Sequence, residues 1–571
     1  MRLSTVTEKI TKQDWWLLGL WVAIGFCLRF GNLTLKPVWG DEWATLVFSL
    51  GAGFRGIPFD QLISQEILLS PLKFDATTSL NFVTSSLLTE SNHPPLYFWL
   101  THLWLRLWST DGGFISIWVG RSLSALFGVA LIPVGFGLGW FCTKMRRVAH
   151  FFAVAIAISP FAVYLSQEAR HYSLALIWVC LSLGCLVAII RAVKAGRSPS
   201  FQLIIFWLIV NGFGIASHFF MVLHIWAEGL VLLRFYVADS GFSLRKPNTF
   251  QAFLTHIFKA PWRRVMLGLL ANVVMISILL ETWSGNSDSK LTSWLSQDYG
   301  FSFEAIAPIG RLLLWLWGTA FTFPLEAQSR IIVIIAAIAL VGTFLWLSPQ
   351  LFRAIRVATK NLESRIFLNV IGANLLTFLG LIYVAKLDVS LAPRYQFIYL
   401  PAVLFLIATA LNYFWQQNKK PITIAILILM FVGSLATNFD TAYRKPENTR
   451  AIAAFIQTHH LADQPLVIAT RDRSAAELRT LLGIAWAFQE QKNSISPHFF
   501  ILSGDNRNPQ PILQQSTETL QKDFELWMVN TPVAPSAEQC DRLAEPKDNI
   551  SGFHYRRFLC PVVLPTSKKS L

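Results

Sequence analysis

Asp41 and Glu42 stand side by side in Val38-Trp39-Gly40-Asp41-Glu42-Trp43, just past the first long apolar run. Carboxylates at that depth are costly to keep unless they work, and an adjacent pair tends to split in pKa. One member then stays ionised as a general base while the other binds a hydroxyl or a metal. The flanking tryptophans favour a membrane–water interface. His93, in Ser91-Asn92-His93-Pro94-Pro95, lies where the chain returns to apolar sequence, and the two prolines fix φ and discourage helix before Leu96. That histidine suits an acceptor hydroxyl, a phosphate, or a metal shared with Glu42, and these alternatives stay open. Glu168, Arg170 and Tyr172, in Gln167-Glu168-Ala169-Arg170-His171-Tyr172, interrupt two apolar runs at a tight turn. Arg121, Lys386, Arg394 and Tyr395 sit at the ends of other apolar runs, where a guanidinium can grip two phosphate oxygens at once. His218, at the end of a run, reads as a core histidine or a supporting ligand. The chemistry this composes is proton abstraction by Asp41 with Glu42, and the holding of a phosphate by Arg170, Arg394, Arg121 and Lys386. His93, Glu168, Tyr172, Tyr395 and His218 are the acceptor or supporting groups.

The elements that carry these groups are membrane helices. Of the 571 residues 54% are hydrophobic and 14% charged, with 22 Trp and 45 Phe, a composition too apolar for a soluble chain. The net charge of +15 sits mostly in short clusters such as Lys144-Met145-Arg146-Arg147 and Lys419-Lys420 between apolar runs. Positive-inside topology accounts for such clusters, so a nucleic-acid partner is rejected. Apolar runs predict about eleven transmembrane helices, an order-of-magnitude count from span length. Residues 96–108 and 309–323 are read as interfacial or re-entrant pieces, and the count rises to about thirteen if both cross. Residues 1–437 form the membrane domain, with an outer-face loop over 36–95. Residues 438–571 alternate strand and helix patterns and read as a small α/β domain outside the membrane. Cys540 and Cys560 there are either a disulfide, worth about 3 kcal/mol, or two free thiols. Residues 42–92 are a cover over the site, either mobile or a permanently packed interfacial hairpin, with 62–69 apolar enough to rest on a bilayer.

Four motifs in order resemble a known family: Asp41-Glu42 after the first span, His93-Pro94-Pro95-Leu96, Arg121-Ser122-Leu123-Ser124-Ala125-Leu126-Phe127-Gly128, and Gln167-Glu168-Ala169-Arg170-His171-Tyr172. They look like the family 39, protein O-mannosyltransferase-like, branch of the GT-C glycosyltransferases, to which the aminoarabinose transferases are also similar. The resemblance implies a GT-C fold, an inverting transfer of sugar from a polyprenyl-phosphate donor to a hydroxyl, a base at Asp41, and a site on the outer face of a bacterial-type plasma (inner) membrane. The partners it implies are that donor and membrane lipid, with the acceptor unspecified. No cofactor is demanded; a divalent metal, with Glu42 and His93 as candidate ligands, is left open. His171 departs from the family's usual Met or Pro after the Gln-Glu-Ala-Arg motif, and the tail is not a β-trefoil. The rival reading is a polytopic transporter or lipid flippase, in which intramembrane charges line a path.

Overall fold

The computed structural model describes residues 8–240, 260–284, 293–300, 302–472, 475–491, 495–504, 506–546 and 550–562. The chain divides into two compact units. The first comprises Met1–Leu35, Ser91–Leu100 and Arg121–Arg444, and the second Lys36–Glu90, Thr101–Gly120 and Lys445–Leu571.

Helices dominate the first unit. Eight described helices are long and apolar enough to cross a membrane, or nine if the bent pair Arg146–Ala157 and Pro160–Ser166 is one span. Lys12–Phe30 and the 17-residue Phe201–Ser217 are further apolar helices. The Leu96–Arg106 and Ala307–Gly318 helices have 11 and 12 residues. At 1.5 Å per residue neither reaches across a hydrocarbon core of about 30 Å. The Leu400–Gln416 helix is buried along nearly its whole length. Arg330–Ala358, by contrast, turns Ile331, Ile335, Ile338 and Leu345 outward, as a lipid-facing helix must.

Several polar groups inside this apolar bundle pair with one another, because hydrocarbon offers them no water. Glu228, fully buried, accepts from Ser182 Oγ and from Trp207 Nε1 at 2.9 Å. Asn211 donates to Asn272 at 2.8 Å, so helices 172–194, 201–217, 221–240 and 260–284 share one polar contact. The 53° bend between Arg146–Ala157 and Pro160–Ser166 has a local cause. Pro160 has no N–H to continue the first helix, and Ser159 Oγ starts the second by accepting from the Ala162 N–H at 3.2 Å. The carbonyls freed at the bend go to Arg29, whose guanidinium donates to Ala157 at 3.0 Å and Ile156 at 2.9 Å.

A six-stranded sheet organises the second unit. Its strands are β1 (Leu62–Ser64), β2 (Leu466–Asp472), β3 (His498–Ser503), β4 (Phe524–Val529), β5 (Asp541–Arg542) and β6 (Tyr555–Cys560), in the order β1-β3-β2-β4-β6-β5. β3, β2 and β4 are parallel, and β1, β6 and β5 pair antiparallel. The parallel strands are buried along nearly their whole length, as strands covered on both faces are. Cys540 and Cys560 are joined by a disulfide.

The sheet corrects the reading of residues 62–69 as a segment resting on a bilayer. Leu62–Ser64 is an edge strand on β3, and Leu68, Leu69 and Leu72 are fully buried. The local apolar pattern suits either fate, and the bonds of β3's free edge are what select this one. Trp43 is likewise corrected: it is 1% exposed, packed on Trp486 at 5.6 Å in the core of this unit, and is no interface residue.

One buried ion cluster ties the tail together. Glu525 accepts from Arg557 at 2.7 Å, His460 at 2.8 Å, Trp527 Nε1 at 2.9 Å and the Leu461 N–H at 2.9 Å. Burial alone raises its pKa, but the bonds from His460, Leu461 and Arg557 outweigh this and hold the carboxyl below the ordinary range. A lowered carboxyl stabilises above its unfolded pKa and loses that contribution as pH falls through the folded one. Glu525→Ala strands Arg557 without its counter-charge and should cost about 3–5 kcal/mol. Hydrogen exchange over residues 524–529 and 555–560 of the full chain measures this, and the wild-type protection should decline in acid below the carboxylate range.

Candidate active site

The two sets of predicted residues lie one in each unit. In the first unit, the turn at 167–171 between Pro160–Ser166 and Tyr172–Lys194 is pinned from three directions. Gln167 donates to the carbonyls of Leu28 at 3.1 Å and Gly31 at 3.0 Å. Ser124 donates to the Arg170 carbonyl at 2.7 Å, and Tyr97 bonds Ser124 at 2.6 Å. These bonds fix where Arg170 and His171 point. Arg121, buried one turn from Ser124, donates to the Leu33 carbonyl at 2.9 Å, and Glu168 is buried in the same turn.

The fold brings Arg170, His93 and His218 together, with Arg394 beside them. The Arg170 guanidinium lies 3.2 Å from His93 Nε2. Arginine has only donors, so Nε2 accepts, and Nδ1 carries the proton toward Ser91 Oγ at 2.9 Å. His171 lies between, its ring 5.6 Å from His93 and 4.3 Å from His218. His218 Nδ1 accepts from the Phe220 N–H at 3.0 Å, leaving its proton on Nε2. Burial pushes the pKa values of His171 and His218 well below the ordinary histidine range. Arg170, His93 and Arg394 push both the same way, as His218 does for His171. Tyr172 lies under Arg170 at 5.8 Å, and Arg394 packs on Trp294 at 5.5 Å and Tyr395 at 5.2 Å. Neutral imidazoles beside two guanidiniums form a donor-rich, positively charged surface at the ends of helices, suited to an anion.

Several expectations change. Lys386 donates to Asp298 on an exposed turn and takes no part in the contacts joining these histidines and arginines. Its charge is already matched, which removes it from the phosphate set. Tyr395, at the end of its apolar run, is buried and stacked on Phe220 at 4.2 Å. His171 was not among the expected site residues. Its signal was its place in the motif, but only the fold shows both its buried ring nitrogens without a hydrogen-bond partner. His93 does not fit a metal, since Ser91 and Arg170 occupy its two nitrogens. Among the described residues no group of three or more His, Cys, Asp or Glu is placed to hold one.

In the second unit, Asp41 and Glu42 form the first turn of the Gly40–Ser49 helix, where the positive end of the helix dipole favours carboxylates. Glu42 is fully buried and Asp41 partly so. Gly483, on the Ala476–Glu490 helix, leaves room for the Trp43 indole, since a Cβ there would come within 2.9 Å of Trp43 Nε1. Arg479 of that helix reaches Asp41, with 3.4 Å between its NH1 and Oδ1. Sequence reasoning did not find Arg479, because nothing local links residues 438 positions apart.

Comparison with known proteins bears on the fold. No protein-family model matches the sequence, and no curated protein matches it. The chain is similar to the crystal structure of ArnT from Cupriavidus metallidurans bound to undecaprenyl phosphate, at 12% identity over 97% of this chain and 99% of that one, with a TM-score of 0.50. Weaker likenesses are to the archaeal oligosaccharyltransferase AglB from Archaeoglobus fulgidus in complex with an inhibitory peptide and a dolichol-phosphate (12% identity, 90% and 69% of the chains, TM-score 0.44) and to the S. cerevisiae protein O-mannosyltransferase Pmt1-Pmt2 complex bound to the sugar donor (14%, 52% and 38%, 0.31). The fold assignment rests on the first of these. The chain is a multi-span membrane protein that shares the fold of that structure, the fold the four motifs implied, and it carries the small C-terminal sheet domain that the alternation of strand and helix patterns in the tail implied.

The neutral histidines carry a pH signature. A histidine with a lowered pKa takes up its proton more readily when unfolded, so stability declines as pH drops below the ordinary histidine value of 6.5. The thermal midpoint of the purified protein should therefore fall between about pH 7 and pH 5. His171→Phe keeps the ring packing and has no hydrogen bond to lose, and should flatten part of that slope.

Proposed function

We propose that the protein is an inverting glycosyltransferase that moves a sugar from a polyprenyl-phosphate donor to a hydroxyl acceptor. Asp41 takes the proton of the acceptor hydroxyl as its oxygen bonds to the anomeric carbon. The bond from that carbon to the phosphate oxygen breaks, and the lipid phosphate leaves with the electron pair. Arg170, Arg394 and Arg121 stabilise the departing phosphate, with His171 and His218 as neutral donors around it and His93 holding the Arg170 guanidinium in place. The observation that carries this reading is the cluster of Arg170, His93, His171, His218 and Arg394, in a fold like that of a structure holding undecaprenyl phosphate. Glu42, Glu168, Tyr172 and Tyr395 support the two sets of groups.

The membrane spans and the disulfide of the tail support a plasma-membrane enzyme whose site and tail face outward, where thiols oxidise. The division of labour proposed is a membrane domain that binds the donor and an outer domain that includes the tail.

Asp41→Asn keeps the shape and removes the base, and should reduce transfer by about 100-fold or more. The assay is sugar transfer from labelled undecaprenyl-phosphate hexose and pentose donors, with native membranes supplying acceptors. Wild-type turnover in the variant rejects Asp41 as the base.

Arg170→Ala and Arg394→Ala each remove a charge-assisted contact and should weaken binding of undecaprenyl phosphate by about 1.5–3 kcal/mol. Titration with the lipid phosphate in nanodiscs, alongside thermal melts, separates binding from folding. Unchanged affinity with a lowered melting point makes both arginines structural.

A further inference from the structure

The Ala476–Glu490 helix reaches Asp41 with a guanidinium that is itself held in place. Arg479 Nε donates to the Ala475 carbonyl at 2.8 Å, while NH1 lies 3.4 Å from Asp41 Oδ1. The helix start is anchored by Asp472, whose two oxygens accept from the N–H groups of Ala475 and Leu478 at 3.2 Å. Its middle is keyed to the Gly40–Ser49 helix by Trp43 against Gly483 and Trp486. Arg479 therefore approaches Asp41 from a fixed direction.

The surroundings of Asp41 are crowded with acids. Glu42 follows it on its own helix, and Glu477 lies on the Arg479 helix. Glu447 accepts from Thr480 Oγ1 at 2.9 Å. Burial pushes the Glu447 carboxyl above its usual range, and the charges of Glu477 and Asp41 push it the same way, against Arg479. The nearby cation Lys445 lies over the Trp39 ring at 3.9 Å. A base among neighbouring carboxylates tends to hold a proton, and a protonated Asp41 has no use as a base. As a stability element the Arg479–Asp41 pair is minor, because its atoms lie 3.4 Å apart on side chains 14% and 28% exposed. Its geometry matters more than its energy.

We infer that Arg479 is a positioning residue for Asp41: its guanidinium holds Oδ1 in place and favours the ionised carboxylate that takes the acceptor proton. The sheet domain thereby contributes to transfer itself. This rests on the reading of Asp41 as the base.

The test compares wild type, Asp41→Asn, Arg479→Gln and Arg479→Lys as full-length protein in the same transfer assay, with thermal melts. Arg479→Gln should lower kcat by about 10- to 100-fold, within the range of general-base catalysis. KM for the undecaprenyl-phosphate sugar should stay within about 2-fold, since the change touches no donor contact. The acidic limb of its kcat/KM profile should move up by about 1 pH unit, the low end of the effect of a lost opposite charge. Arg479→Lys should return the limb toward wild type without restoring the full rate, because an ammonium keeps the charge and loses the planar fork. An inactive Asp41→Asn beside an Arg479→Gln with wild-type kcat and limb overturns the role of Arg479 and leaves the base in place. An active Asp41→Asn removes the base and this inference together. If Arg479→Gln does not fold, Arg479→Lys decides: a reduced kcat at an unshifted limb and unchanged melting point supports the inference, and wild-type kcat overturns it.

Discussion

The need to pair the backbone carbonyls at the turn between Pro160–Ser166 and Tyr172–Lys194 governs the first unit. Away from water an unpaired backbone group costs several kcal/mol, and a charge costs more. The surrounding elements supply what the turn lacks: Gln167 reaches back to the carbonyls of Leu28 and Gly31, Ser124 takes the Arg170 carbonyl, and Arg29 takes those of Ile156 and Ala157. The helix breaks at Ser159-Pro160 because proline cannot continue it, and that break requires a buried arginine to serve the freed carbonyls. Held this firmly, Arg170 meets His93 and His171 meets His218 without either pair depending on mobile side chains.

The same rule explains why the histidines matter as neutral groups. Beside Arg170 and Arg394, a second positive charge on a buried imidazole is disfavoured by desolvation and by repulsion alike. A neutral ring still donates one N–H, so the cluster pairs two fixed cations with donors whose protonation does not compete for the anion. Arginine suits the first role because its fork is charged at every relevant pH.

In the second unit the organising feature is the parallel core β3-β2-β4, which is covered on both faces and takes β1 from residues far upstream. Residues 62–64 complete an edge whose backbone groups need partners, and so the segment that carries Asp41 and Glu42 is folded together with the tail. Asp41 then stands at a helix start, with the dipole on one side and Arg479 on the other.

The sequence by itself determined the polytopic helical class, because a 54% hydrophobic chain of membrane-length apolar runs has no soluble solution. It also marked the charged turn at 167–172, since Glu168 and Arg170 break two apolar runs, and the strand–helix alternation of the tail. These are local signals, set by composition and by residues a few positions apart. What the tertiary structure decided lies beyond that range. Trp43 reads as an interface aromatic because an amphipathic ring suits both a headgroup layer and a packed core, and only its neighbour Trp486 settles which. Lys386 looked like a phosphate cation until Asp298 was seen to match it. His171 and Arg479 became visible only when residues far apart in sequence were brought together. Long-range pairing leaves no periodicity in the chain, so it is read from packing alone.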